Sequence, residues 1–351
     1  MRAITCSGYG PPIDVLRAGD VDEPSLAEDE VLVAVRAAAL NPADWHLIRG
    51  VPHLARLQVG LRRPRFEVPG SDFAGVVEAV GSAVSTIRVG DEVFGTTFMA
   101  GFGAFAERMA VPERLVALRP RNTSFEESAA VPLAASTALQ ALRDHGGVQQ
   151  GHRVLIIGAS GGVGTYGIQL AKHFGAEVTA VCSSANIGLV RSLGADHVID
   201  YTAQDVTETA ERYDLVVQAA GTERASRLRP LLEPDGTLIQ LSGDSPNRWF
   251  GPLGRVVAGR LLSLTRGPAV TVFTVAPTSE DLDLLAGLIE EGVVTTRLER
   301  TYAFEEVTEA MAHVESGRTR GKVAITIASQ QPDGTLSQDC LLYTSPSPRD
   351  S

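Results

Sequence analysis

The sequence predicts an α/β protein, in which an open, doubly wound parallel sheet is joined to a β-rich domain. Three observations carry that expectation. The stretch Arg153–Phe174, RVLIIGASGGVGTYGIQLAKHF, reads as strand, glycine turn and helix. Beyond it, apolar strand-length runs alternate with helical patterns, as parallel sheets require. Before it, residues 1–125 are cut by glycine and proline into short strand-like segments.

In the central stretch, Val154–Ile157 is continuously apolar, as a strand covered on both faces must be. Ile168, Leu170, Ala171 and Phe174 then recur at helical spacing. Between them lies GASGGVG, one residue longer than GxGxxG. Glycines there allow a tight turn and close approach to a pyrophosphate, and the helix N-terminus offers unpaired N–H groups to its charge. Dinucleotide binding is the expectation.

Taken in order, the β-rich part predicts strands at Val31–Ala37, Ala74–Val80 and Glu92–Gly95, with turns at Gly81-Ser82 and Gly90-Asp91. Val51–Phe66 is amphipathic, with Leu54, Leu57 and Leu61 beside Arg56, Arg62, Arg63 and Arg65. It reads equally as a solvated basic face or as a greasy pocket mouth. Glu126–Ala141 is helical apart from Pro132. Six strands follow, at Val154–Gly158, Glu177–Cys182, His197–Tyr201, Leu215–Ala219, Thr237–Leu241 and Val270–Val275, in expected sheet order 3-2-1-4-5-6. Ligands of such a sheet lie at its strand C-terminal ends. The expected crevice is therefore Gly158–Gly164 (with Ser160, Gly161, Gly162 and Val163), Cys182–Asn186, Ala219–Gly221 and Leu241–Gly243.

Asp244–Gly267 interrupts the fifth-to-sixth connection with Trp249, Phe250, Leu253, Val256, Val257, Leu261 and Leu262 among four arginines. Too short to span a bilayer, it is expected to pack on the protein or at a dimer contact, with peripheral membrane contact as the alternative. Helices over Glu280–Glu290 and Val307–Val314 and a strand at Val323–Ile327 are expected to return to the first domain.

Composition limits the function. A formal charge of −11 argues against nucleic acid as main partner. Cys6, Cys182 and Cys340 stand far apart, forming neither a disulfide framework nor a zinc motif. With no signal pattern at its start, the chain is expected to be cytoplasmic. The stretch CLLYTSPSPRD, Cys340–Asp350, reads as the translated end of a sequencing adapter, so residues from Cys340 onward are set aside; a natural disordered tail is the other reading.

Several motifs together resemble the zinc-free, quinone-oxidoreductase-like branch of the medium-chain dehydrogenase/reductase superfamily: NPADW, GSDFAGVVEAVGSAV with VGDEVFG, AAVPLAASTALQAL, GASGGVG with LGADHVIDY, and GRTRGKVAI. The resemblance reaches to about Ser329 and implies a Rossmann domain inserted in a GroES-like catalytic domain. The implied boundaries are 1–127 and 277–329 for the catalytic domain and 128–276 for the dinucleotide domain, with 330–351 as tail. A homodimer is implied too.

Zinc-dependent relatives carry a cysteine near Asp44 and Gly-His-Glu at Gly70-Ser71-Asp72, so no metal is expected; His46, His53 and Asp72 read as pocket or structural residues. Without zinc to polarise a carbonyl, hydride acceptors should be conjugated, meaning quinones or α,β-unsaturated carbonyls of lipophilic character. By resemblance, Asn41 and Asp44 orient the substrate; His46 stands where quinone oxidoreductases often carry a tyrosine, and it is expected to supply the following proton, with solvent or a cofactor ribose hydroxyl as the alternative. Thr137 approaches the nicotinamide, or else bonds back to its own helix turn. Phe273 and Thr274, ending the sixth strand, meet the carboxamide.

No acid follows the second strand, where NAD-preferring folds hold the ribose 2′-hydroxyl. NADPH is therefore expected, with NADH as the alternative. Its 2′-phosphate would rest on Ser183, Ser184, Asn186, Tyr201 and Lys322. The expected activity is an NADPH-dependent, metal-free reductase. A metal-free alcohol or aldehyde dehydrogenase, and a non-catalytic NADPH-binding regulator or membrane-surface adaptor, are the alternatives.

Overall fold

The computed structural model describes residues 1–98, 100–241, 249, 254, 257, 259, 262 and 267–327. Ser242, most of the 244–267 insertion and the tail with its adapter-like end lie outside the described residues.

Two large sheets organise the chain. The first has seven strands in the path β14-β15-β3-β4-β5-β7, with β6 pairing β3 as well. Its members are β3 (Glu30–Leu40), β4 (Asp72–Val80), β5 (Glu92–Thr96), β6 (Arg108–Pro112), β7 (Val116–Leu118), β14 (Leu298–Ala303) and β15 (Lys322–Thr326). A short hairpin, β1 (Arg2–Cys6) with β2 (Leu16–Asp20), accompanies it. The long strand β3 is flanked on one side by β4 and on the other by β6 at its start and β15 at its end. The return of the chain's last segment to the first domain is thus observed.

The second sheet is wholly parallel, with the order β10-β9-β8-β11-β12-β13. The strands are β8 (Arg153–Ile157), β9 (Glu177–Cys182), β10 (His197–Asp200), β11 (Tyr213–Gln218), β12 (Leu232–Gln240) and β13 (Ala269–Thr271). This is the expected 3-2-1-4-5-6 order, reversing direction between β8 and β11 and so opening a crevice beside β8. Val154, Leu155 and Ile156 are fully buried, because helices cover both faces of the sheet.

Three local expectations change. The helix over Glu126–Ala141 is two helices, Phe125–Ala129 and Pro132–Gln140; Pro132, lacking an N–H, starts the second rather than interrupting one. The sixth strand ends at Thr271, so Phe273 and Thr274 follow it. The Gln140 amide holds that following segment instead, donating to Ala276 O (2.8 Å) and accepting from Ala276 N (3.1 Å). Within Val51–Phe66 only His53–Ala55 and Arg56–Val59 are helical, and Leu57 and Leu61 are exposed.

Candidate active site

The glycine turn is built from backbone conformation. Gly158 has φ +82°, and a Cβ there would lie 2.5 Å from Cβ of Ala220. A Cβ on Gly164 would fall 2.3 Å from Gly158 O. No other residue type fits either position without displacing backbone. Gly161 caps the Gly162–His173 helix with no side-chain hydrogen bond to its first N–H groups. Those donors, with the positive end of the helix dipole, suit a pyrophosphate. Ala220 and Leu241 stand beside the turn: Ala219 N donates to Ile157 O, and Leu241 N to Gln218 O (both 2.9 Å). The described part of the expected crevice, with Gly158, Ala219 and Leu241, is brought together at adjacent strand ends.

Next to the turn lies a buried charged cluster, which strand register explains. On one side of β3, Asp72 pairs with Ala39; on the other, Val323 pairs with Leu40. Asp72 and Lys322 are thereby delivered to the same end of β3, just before Asn41 leaves it. The Lys322 ammonium donates to Leu40 O (3.0 Å) and Asn41 Oδ1 (2.5 Å), and stands 3.8 Å from Asp72 Oδ2. Asn41 Nδ2 donates to that same carboxylate oxygen (2.9 Å). Because the ammonium can only donate, it fixes which end of the Asn41 amide faces it. Asp72 Oδ2 also receives the Leu133 N–H (3.4 Å), at the start of the Pro132–Gln140 helix.

Asp44 completes the cluster. The Pro42–Arg49 helix starts from Asn41, whose N–H donates to Asp44 Oδ2 (2.7 Å) in a capping arrangement. Burial pushes the Asp44 carboxyl up to about 7, helped by the charge of Asp72 and opposed by the Asn41 N–H and Lys322. Asp44 Oδ1 and the Ser71 hydroxyl each lack a well-formed hydrogen bond, although that hydroxyl still favours the carboxylate. Burial also raises Asp72 and depresses Lys322, and the attraction between the two opposes both shifts.

The cluster touches the glycine turn directly. Gly321 N donates to Ser160 O (2.8 Å), Gly161 and Gly321 form a β-bridge, and a Cβ on Gly162 would lie 2.9 Å from Lys322 Cδ. Asn186 Nδ2 joins the loop after β9 to the turn through Ser160 Oγ (3.0 Å) and Ser183 Oγ (3.3 Å).

Some expected roles change. Lys322, expected at the 2′-phosphate, is 4% exposed and spends its ammonium on Leu40, Asn41 and Asp72. Burial beside opposite charge, invisible in GRTRGKVAI, ties it to the buried Asn41–Asp72 cluster. The Thr137 hydroxyl donates to Leu133 O (2.6 Å), which leaves it able only to accept. The Cys182 side chain is buried and burial raises its thiol, so its part in the crevice falls to its backbone. Phe273 stacks on His145 (4.0 Å between ring centres) in the segment after β13. Thr274 and Tyr201 are exposed. His46 stacks on Trp45 at 3.6 Å.

The sequence reads Asp72 only as a pocket or structural residue. Its contribution was hidden because the cluster joins residues 41, 44, 72 and 322. The one available signal was a GSD motif following NPADW, both at ends of apolar strands.

Among the described residues, no three His, Cys, Asp or Glu side chains converge as a metal-ligand set. Asp72 is already engaged by an ammonium and His53 Nδ1 contacts Gly50 O (3.2 Å), so the residues present do not fit a zinc ion.

Comparison with known proteins agrees with this fold. Residues 27–121 match the family described as alcohol dehydrogenase GroES-like domain, and residues 193–325 the one described as zinc-binding dehydrogenase. The chain is 35% identical to 2-methylene-furan-3-one reductase of Solanum lycopersicum, over 93% of this chain and 79% of that protein. It is 34% identical, with the same two coverages, to the chloroplastic NADPH-dependent alkenal/one oxidoreductase of Arabidopsis thaliana. The solved quinone oxidoreductase from Coxiella burnetii superposes with a TM-score of 0.82 at 27% identity, covering 93% of this chain and 99% of that one. The chain belongs to the quinone-oxidoreductase-like branch of the medium-chain dehydrogenase/reductase superfamily.

Proposed function

We propose that this protein is an NADPH-dependent reductase of quinones and α,β-unsaturated carbonyls that works without a metal. The observation carrying the reading is the contact between the glycine turn and the buried cluster, through Gly321 N to Ser160 O and Lys322 against Gly162. It sets a cofactor cradle beside polar groups that can orient a substrate oxygen. The relatives' names, an enone reductase and an alkenal/one oxidoreductase, support the same class.

The glycine turn and the bare helix N-terminus would hold the pyrophosphate, and Ser183, Asn186, Ala220 and Leu241 would line the rest of the nucleotide. The bound reduced nicotinamide would supply a hydride. Conjugated acceptors suit this site, because they spread the arriving charge and need only hydrogen bonds from the protein. Asn41 has one N–H left after its bonds to Asp72 and Lys322, and that donor can face an acceptor oxygen. Asp44 fixes Asn41 from behind through the N–H it accepts. Lys322 balances the Asp72 carboxylate, and burial keeps Asp44 protonated up to about 7, so the site does not repel incoming negative charge. His46 holds the proton that follows, at a half-buried ring braced by Trp45.

The test is cofactor oxidation against quinones, enones and plain ketones or aldehydes, with protein trimmed before Cys340. Turnover of the conjugated acceptors alone is expected. Turnover of plain carbonyls that a chelator abolishes would overturn the metal-free reading.

Residues 1–127 with 277–329 would form the catalytic domain around 128–276. The protein would be a cytoplasmic homodimer. No helix among the described residues is long and apolar enough to cross a membrane. Exposed Leu57, Leu61 and Trp249 support peripheral contact, with Leu54 N donating to Trp249 O (3.1 Å). Failure to float with anionic liposomes at low salt would remove that contact from the reading.

A further inference from the structure

We infer that Asp200 is a cofactor-selecting residue that works against the 2′-phosphate of NADPH and keeps NADH competitive. The inference rests on the dinucleotide-binding half of the proposed function.

The sequence contains no acid directly after β9, and on that ground the ribose pocket looked hospitable to phosphate. The sheet supplies an acid from the next strand instead. Asp200 ends β10 and is the register partner of Cys182, which ends β9. It therefore stands at the strand edge where a doubly wound fold holds the adenosine ribose. The loop carrying Ser183, Ser184 and Asn186 is tied to the glycine turn by Asn186 Nδ2 to Ser160 Oγ, so this edge belongs to the crevice.

Counting hydroxyl protons shows the consequence. Ser184 Oγ lies 2.5 Å from Asp200 Oδ2 and 2.9 Å from Thr202 Oγ1. Thr202 Oγ1 lies 2.6 Å from Asp200 Oδ1, and Thr202 N donates to that oxygen at 2.9 Å. A carboxylate only accepts, and each hydroxyl has one proton. The two protons serve three contacts among Ser184, Thr202 and Asp200, so neither is left over to point outward, and both hydroxyls present lone pairs there. The same hydrogen bonds hold the carboxyl below its usual range, in its charged form. No Lys or Arg among the described residues pairs with it.

Such a rim receives a donor. A free ribose 2′-hydroxyl can donate to Ser184, Thr202 or Asp200. A 2′-phosphate, itself an acceptor with close to two negative charges, meets a like charge at Asp200 and no donor proton from Ser184 or Thr202. Ser184 therefore does not support the phosphate as the sequence suggested, and Asn186 Nδ2 is already shared between Ser160 and Ser183.

The experiment measures dissociation constants of NADPH and NADH by calorimetry for the trimmed protein, for Asp200→Asn and for Ser184→Ala. 2′,5′-ADP and 5′-AMP serve as competitors that need no turnover. Asparagine keeps the acceptor for Thr202 N and adds an amide donor. The expected result for Asp200→Asn is a gain of about tenfold in NADPH and 2′,5′-ADP affinity, with NADH and 5′-AMP changed less than about threefold. Ser184→Ala, which leaves the Asp200 to Thr202 bonds in place, should not weaken NADPH. A tenfold loss of NADPH affinity in Ser184→Ala, or an unchanged NADPH-to-NADH ratio in a folded Asp200→Asn, would overturn the inference while leaving the reductase reading intact. Binding of neither dinucleotide to the parent protein would overturn both.

Discussion

The glycine turn and the buried Asn41–Asp44–Asp72–Lys322 cluster touch at Ser160 and Gly321, yet they are made in different ways. The turn is local. Its shape comes from backbone conformations within Gly158–Gly164, and the N–H groups it offers to charge would come from any sequence with those glycines. The cluster is non-local, since strand register gathers side chains from three distant segments into a space from which water is excluded. A local device can lose one residue and fail by strain alone. A buried charge cluster fails by imbalance, because removing one member leaves its partners charged and undersolvated.

The largest expected effect tests that imbalance. Lys322→Met should destabilise the protein by about 3–5 kcal/mol in urea titrations, because Asp72 loses its counter-charge in the interior. Adding Asp72→Asn should recover more than half of the loss. If the double variant is no better than the single one, packing rather than charge holds this site together.

Strain at the turn comes next. Gly158→Ala places a methyl 2.5 Å from Ala220 Cβ at φ +82° and should cost about 1–3 kcal/mol. NADPH affinity should fall about tenfold or more, read by calorimetry. Normal binding by a stable Gly158→Ala protein would mean that the cradle is looser than its backbone implies.

A subtler effect separates the regions by pH. Asp44 is raised in the folded protein to about 7 from 3.8, so across that interval the folded chain keeps a proton that the unfolded chain has released. Stability should therefore decline as pH rises from about 4 to about 7, by a few kcal/mol at most. Asp44→Asn, which still accepts the Asn41 N–H, should flatten thermal melts across that range. Asp72 acts in the same sense, and Lys322, depressed by burial, acts oppositely on the alkaline side. An unchanged slope in Asp44→Asn would assign the pH dependence to Asp72.

The smallest effect is expected at Thr137. Its hydroxyl bonds to its own helix, so Thr137→Val should change stability by less than about 1 kcal/mol and the KM for NADPH by less than about threefold. A larger rise in KM would show that the hydroxyl turns toward the cofactor when one binds.

Reading the sequence recovered the parallel sheet and its strand order, because buried strands and glycine turns leave local signatures. It also singled out Asn41 and Asp44, which lie together in NPADW. The start of the second helix at Pro132, the end of β13 at Thr271 and the hairpin of β1 and β2 depend on packing and were missed or misplaced.

By itself the sequence determined the doubly wound sheet, the phosphate-receiving turn and the class of cofactor, since each is encoded within some twenty consecutive residues. Tertiary structure alone decided that Lys322 belongs with Asp72 and Asn41 rather than at a phosphate, and that Asp200 stands beside Ser184. The physical reason is common to both. The protonation and partners of a charged side chain depend on burial and on neighbours brought from other strands, and sheet register fixes those only when the whole chain has folded.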